Sequence, residues 1–310
     1  MRKKLVLFFH FNKQVIVEYI ADNVIKYSAS LAYYTTLSLA PMLVIIISVS
    51  GILFGKEAMR GEVYQQINGM VGSEAALQIQ ATMQHIHLNG DTPFATIVSL
   101  VILLIGATGI FGEMQDSLNK IWGLKTRMRK VWWKIILNRI LSFSIIICLG
   151  FIMIVSLILN AVVAAVSLKV NSIMHGVGDS LIPLVDTVLS IGVGMLLFAS
   201  IFKILPDAKI KWKDVLVGAF ITSVLFTLGK FAIGFYLGKS NLASVFGAAG
   251  SVIIIMIWVY YSSAILYLGA VFTKVYASNF GGRIYPNDYA MWIKVEEVPV
   301  QKVTLHQTES

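Results

Sequence analysis

The sequence predicts an all-α protein: a polytopic membrane bundle of six transmembrane helices preceded by an N-terminal interfacial amphipathic helix. Three observations carry that prediction. Hydrophobic residues make up 57% of the chain and charged residues 13%, against about a quarter charged in soluble domains, and the mean hydropathy is +0.79. Six apolar runs each approach or exceed the roughly 20 residues a helix needs to cross hydrocarbon at about 1.5 Å of rise per residue. Basic residues crowd the flanks of alternate runs, as expected where cytoplasmic loops hold Lys and Arg.

Residues 1–26 are read as the interfacial helix. They mix Leu5, Phe8, Phe9, Ile16 and Ile20 with Lys4, Lys13, Glu18, Asp22 and Lys26, which suits a helix lying in the headgroup layer, where apolar burial and attraction to anionic lipid act together. The opening "MRKKLVLFFHFNKQ" imitates a signal peptide, yet His10 interrupts its apolar part and no small-residue cleavage site follows, so this segment is expected to be retained. The membrane domain is placed at 27–278, with spans at about 28–54, 94–111, 137–166, 181–204, 215–237 and 243–273. Apart from Lys203 at the very end of the fourth, Arg139, Asp186 and Lys230 are the only charges inside them. The loop 56–93 has room for two short helices broken near "NGMVGS". The tail 279–310 is polar and is read as a partly disordered cytoplasmic extension.

Orientation follows from the basic residues. With the amino terminus in the cytoplasm, the inside flanks hold twenty of them, whereas the outside loops hold four, namely Lys56, Arg60, Lys169 and Lys239. Both termini are therefore expected in the cytoplasm.

Three sets of polar residues stand out from this apolar background. Tyr27, Ser30, Tyr34 and Ser38 step by three or four and share one face of the first span. That face either hydrogen-bonds neighbouring helices or lines a wet cavity. Glu113 and Asp116 lie one turn apart where the second span ends. They are candidates for an acid–base or ion site, with the plainer reading that they cap a helix end and pair with Lys120. Asp186 and Lys230, far apart in sequence, reach similar depth once the topology is drawn, and an unpaired charge there is costly. They are expected to pair across adjacent helices, or to meet an anionic headgroup through Lys230; the competing reading has Lys230 snorkelling outward alone.

Other chemistry is poorly supported. Cys148 is the only cysteine, so no internal disulfide and no thiolate metal cage can form. His85 and His87 have the spacing of a ligand pair but no third partner nearby, and His10, His175 and His306 are scattered; no metal site, cofactor or catalytic residue is assigned. "IWGLKTRMRKVWWK" at 121–134 alternates tryptophan with base in a way that resembles a single-strand binding patch. A short cytoplasmic loop with interfacial tryptophans accounts for the same residues, and no nucleic acid partner is expected. Gly51-x-x-x-Gly55, Gly234-x-x-x-Gly238 and Gly247-x-x-x-Ser251 fit close helix packing in lipid.

Three stretches, "SASLAYYTTLSLAP" at 28–41, "GEMQDSLNKIWG" at 112–123 and "LPDAKIKWKDVLVGA" at 205–219 continuing through "FGAAGSVIIIMIWVYYSSAILYLGAVFTKVYA", resemble the YihY/virulence factor BrkB family, once labelled ribonuclease BN. The resemblance implies a multi-pass protein of the bacterial inner membrane with links to envelope integrity. Two positions depart from the pattern: Val271 stands where such sequences often have Glu, and Phe246 where Tyr is usual. The old ribonuclease label needs clustered His and carboxylate ligands, which these residues do not supply.

The expected function is transport or organisation of an envelope component, such as an amphipathic or lipid-like molecule, with membrane lipids as partners and no enzymatic activity. The alternative is a structural or assembly membrane protein without transport.

Overall fold

A computed structural model describes residues 2–38, 109–126, 178–239 and 250–293. Six helices, labelled here in chain order, dominate these segments: α1 (Arg2–Ala21), α2 (residues 24–38), α3 (residues 109–121), α4 (Gly178–Ile204), α5 (Trp212–Lys239) and α6 (Gly250–Asn279). The expected spans at 181–204, 215–237 and 243–273 correspond to α4, α5 and α6, and these helices are long and apolar enough to cross a membrane. Only the start of the first expected span and the end of the second fall within the described residues, and the third lies outside them. The loop 56–93, Cys148, Arg139, Phe246, His85 and His87 also lie outside.

The chain breaks between α1 and α2 at Asn23, whose φ of 53° is left-handed, a conformation that Asn tolerates better than most residues because its short side chain bonds locally. The α1 helix carries apolar side chains on two sides. Phe11 and Val15 are buried, whereas Val6, Phe9, Ile16, Val17 and Ile20 are exposed. Phe11 packs edge-on against Phe272 of α6, with ring centroids 5.2 Å apart. Glu18 and Asp22 both reach Lys274 of α6, at 2.9 and 3.1 Å. Glu18 of α1 and Asp22 just after it thus face the protein, which an isolated amphipathic helix on a lipid surface would not show.

The α4–α5 pair is an antiparallel hairpin. Pro206 stops α4, since the residue before a proline is driven out of helical geometry, and Asp214 in the first turn of α5 suits the positive end of the helix dipole. Ser223 Oγ donates to Ile191 O across the pair at 2.7 Å. The α5–α6 seam is closer still. A Cβ added at Gly218 would overlap the Thr273 side chain, and one at Gly269 would overlap Thr222. The two contacts interlock, because Thr222 Oγ1 donates to Gly218 O and Thr273 Oγ1 donates to Gly269 O, both at 2.7 Å.

At the end of the bundle where α3, α4 and α6 finish and α5 begins, the all-α expectation needs amending. Four short strands form two antiparallel pairs there. β1 (Leu124–Thr126) pairs with β4 (Ala290–Trp292), placing Leu124 opposite Trp292, and β2 (Ala208–Lys209) pairs with β3 (Tyr285–Pro286), placing Ala208 opposite Pro286. Residues 285–292, expected to belong to a partly disordered extension, are instead built into this collar. Their partners are flanking segments of two earlier helices, and the backbone groups of both sides are satisfied by each other. The largest fully buried side chains, among them Leu118, Trp122, Phe202, Val215, Tyr267 and Val271, belong to one hydrophobic core cluster. Trp122, expected as an interfacial tryptophan of a loop, is 1% exposed and donates through Nε1 to Ala270 O of α6 at 3.1 Å.

Candidate functional site: a basic cleft on a wired collar

On α2, Ser28 and Ser38 are buried and their hydroxyls donate to Val24 O and Tyr34 O of the same helix, both at 2.9 Å. Tyr27 packs against the core beside Lys120, whose Nζ lies 5.3 Å from the centre of its ring. Ser30 is half-buried, and Tyr34 lies against Gly109 of α3. The face therefore meets α3 at Tyr27 and Tyr34, while Ser38 turns back on its own helix, as does Ser28 beside it. Glu113 is half-buried and accepts a long 3.5 Å bond from Ser117 Oγ; Asp116 is exposed. The two are not brought together with Lys120, which stacks on Tyr27 instead.

For Asp186 only the backbone is described. Stepping five residues back along α4 from Ile191, and five forward along α5 from Ser223, reaches Asp186 and Leu228, so Lys230 stands about half a turn further on. Lys230 Nζ lies 5.9 Å from the centre of the Phe231 ring. Val271, where the family pattern suggested an acid, is fully buried in the core.

The sequence reading missed the polar node of the collar. Asp207 is 2% exposed, yet among the described residues no cation pairs with it. Its carboxylate accepts from Gln115 Nε2 at 3.0 Å, Asn119 Nδ2 at 3.0 Å and Thr126 Oγ1 at 2.8 Å. Its backbone N–H donates to Asn119 Oδ1 at 2.8 Å, and its carbonyl accepts from the Asn287 N–H at 3.0 Å. Burial, together with the nearby Asp207 charge, pushes the Tyr289 hydroxyl above its ordinary pKa. One residue thus ties α3, β1, the α4–α5 turn and the C-terminal strands together. Asp214, also buried, accepts from the Gly282 N–H at 2.8 Å.

Against this node lies a cleft of about 500 Å³, lined by Lys203, Lys209, Lys211 and Arg283 together with Tyr285 and Asn287 among others. None of its lining residues is acidic. Lys203 Nζ donates to Ile210 O and sits 5.6 Å from the centre of the Trp212 ring. Arg283 has a left-handed φ of 59° and is fixed by its N–H bond to Ala277 O at 3.1 Å. A second cleft of about 460 Å³ shares Arg283 and Tyr285 and adds Trp122, Lys274 and Trp292. The sequence reading counted these lysines only as topology signals. A usable signal was present: "LPDAKIKWK" places Lys209 and Lys211 at strand spacing, on one face of an extended segment.

Two of the three stretches that carry the resemblance converge on this place. Gln115, Asn119 and Trp122 come from 112–123, Asp207, Lys209 and Lys211 from 205–219, and Ala270 from the run through α6. The family model described as virulence factor BrkB matches residues 15–289. A UPF0761 membrane protein of Tolumonas auensis is 27% identical over 258 residues, covering 81% of this chain and 80% of the relative. Membrane proteins of the same designation from Pseudoalteromonas atlantica, 24% identical over 82% of this chain and 81% of the relative, and from Vibrio vulnificus, 27% identical over 80% and 76%, are similar. No solved structure matches. With apolar helices long enough to span a bilayer and a family match over most of its length, the chain is a membrane protein and belongs to the virulence factor BrkB family.

Proposed function

We propose that this protein moves or organises an amphipathic, lipid-like component of the bacterial envelope, using the lipid-facing surface of its helices and their cytoplasmic ends. The observation that carries this reading is the way the seam between α4, α5 and α6 uses its hydroxyls. Thr222, Thr227, Ser263 and Thr273 each donate to the carbonyl four residues back in their own helix, and Ser223 donates to the neighbouring helix. A path for a hydrophilic solute needs polar groups aimed into water; these are turned away, into close packing. The outer sides of the same helices present Leu196, Phe220, Leu228, Phe231 and Phe235, a surface suited to acyl chains. Those helices end at the basic cleft, and a molecule with an apolar body and a charged end matches both.

The test is reconstitution into liposomes, with a headgroup-labelled lipid and a trapped soluble dye followed side by side. We expect faster lipid redistribution or selective lipid retention with protein present, and dye flux equal to protein-free vesicles. Dye or ion flux without any lipid effect would replace this reading with a solute path. No effect on either would leave a structural or assembly role.

A further inference from the structure

We propose that the cleft formed by the end of α4, β2, the start of α5 and β3 is a binding site for a phosphate group. This inference rests on the amphiphile reading for its most fitting source, the headgroup of an anionic lipid, although the site itself is argued from its own chemistry.

Four cations converge on one concavity, and the carboxylates nearby do not neutralise it. Asp207 commits its oxygens to Gln115, Asn119 and Thr126, and Asp214 accepts from Gly282 N–H; neither lines the cleft. Asp288 pairs with Lys209 at 2.6 Å, but both side chains are largely exposed, at 90% and 57%, and such a pair contributes little and exchanges readily. Gathering basic residues in cytoplasmic loops needs only that they stay out of the membrane. It does not need them around one cavity, where their mutual repulsion is unfavourable until an anion enters.

The donors are also prepared. Lys203 is steered by Ile210 O and the Trp212 ring, and an ammonium has three donors, so others remain for a ligand. Gly282 has no side chain where one would strike the Lys211 methylenes, so the lysine stem lies along the backbone toward the cleft. Arg283 is held at the turn by Ala277 O and offers the planar fork that meets two oxygens of one phosphate. Tyr285 and Asn287 add neutral donors. The volume of about 500 Å³ is that of a small-ligand pocket. Its position, next to the end of the Thr187–Ile204 span and the start of Trp212–Leu237, is where lipid phosphates lie.

The experiment measures binding of the purified full chain to vesicles doped with phosphatidic acid, phosphatidylglycerol, oleate or phosphatidylcholine alone, with and without inorganic phosphate. The Lys211→Gln/Arg283→Gln variant is compared with Lys125→Gln/Lys213→Gln, which removes the same charge at exposed sites outside the cleft. Because hydrogen bonds to charged groups are the stronger ones, the cleft variant is expected to lose roughly tenfold or more in affinity for phosphatidic acid. The control should lose about twofold or less. Inorganic phosphate should compete on the unmodified protein, a readout that depends on no variant. Equal losses in both variants, or no competition by inorganic phosphate, would each overturn the proposal. Competition and sensitivity to the cleft variant with inorganic phosphate alone, and no lipid preference, would keep the site and remove the lipid source. Absence of phosphate binding by the unmodified protein, with lipid redistribution intact, would overturn the assignment of this cleft while leaving the amphiphile reading standing.

Discussion

The seam between α4, α5 and α6 and the collar at their ends solve the same problem in opposite ways. In the seam, buried hydroxyls find an acceptor one turn back along their own helix, as Thr222 does at Gly218 O and Thr273 at Gly269 O. In the collar, Asp207 draws donors from 81, 88 and 92 residues away. Local satisfaction leaves each helix largely self-sufficient, and shape, with the single bond from Ser223 to Ile191 O, joins it to its neighbour. Long-range satisfaction makes every segment depend on the others, so the collar should fail as a unit and the seam contact by contact.

The largest effect is expected where that dependence is concentrated. Asp207→Ala strips the acceptor from Gln115, Asn119 and Thr126 at once. A buried donor left without a partner costs about 1–3 kcal/mol, less where water enters, so we expect a loss of about 3–5 kcal/mol. Limited proteolysis should then cut within 284–293 before any helix opens, because β3 and β4 are held by backbone pairing to segments that Asp207 positions. A variant that melts as the parent does and keeps residues 284–293 protected would show that the strands alone secure the collar.

The contrast also explains what could be read from the sequence. The runs now seen as α4, α5 and α6 were legible because crossing hydrocarbon demands about 20 apolar residues in a row, a property of one segment. Thr222 and Ser263 follow the same local logic. Asp207, Gln115 and Asn119 were not legible, since each is an ordinary polar residue in a flank and only the assembled fold gives them one another. "AMW" at 290–292 is too short to announce a strand, and its partner "LKT" at 124–126 lies in what reads as a basic loop. Trp122 misled for a related reason: a tryptophan beside basic residues suits an interface, and nothing local reveals the Ala270 carbonyl waiting 148 residues on.

An intermediate effect is expected from the seam. Gly218→Leu drives a side chain into Thr273, which is itself tied to Gly269. Overpacking of this kind costs about 1–3 kcal/mol, and the variant should melt lower in detergent. The collar should remain closed to protease below that transition. Thr273→Ala in the same chain should recover part of the loss by opening room beside position 218. No recovery would mean that the strain is not local, and the seam would then behave like the collar.

The smallest effect belongs to the contact between α1 and α6, where satisfaction is long-range but exposure is considerable. Lys274 meets Glu18 and Asp22, with side chains about a quarter exposed. Burial raises the Asp22 carboxyl above its ordinary value of 3.8, while attraction to Lys274 lowers it less and the Glu18 charge adds to the rise. A raised folded-state pKa means that folding favours the protonated acid, so the carboxylate form is a net penalty at neutral pH. As pH falls, the folded protein takes up this proton before the unfolded chain does, and stability from this site grows until pH reaches the ordinary value. Asp22→Asn, which cannot titrate, should therefore match or slightly exceed the parent at about pH 7, within about 0.5 kcal/mol. The parent should gain on the variant as pH drops toward about 4.5. Melting both proteins in detergent across that range checks it. If the parent loses ground as the solution is acidified, attraction to Lys274 outweighs burial, and this partly exposed pair supports the fold as the Asp207 network does.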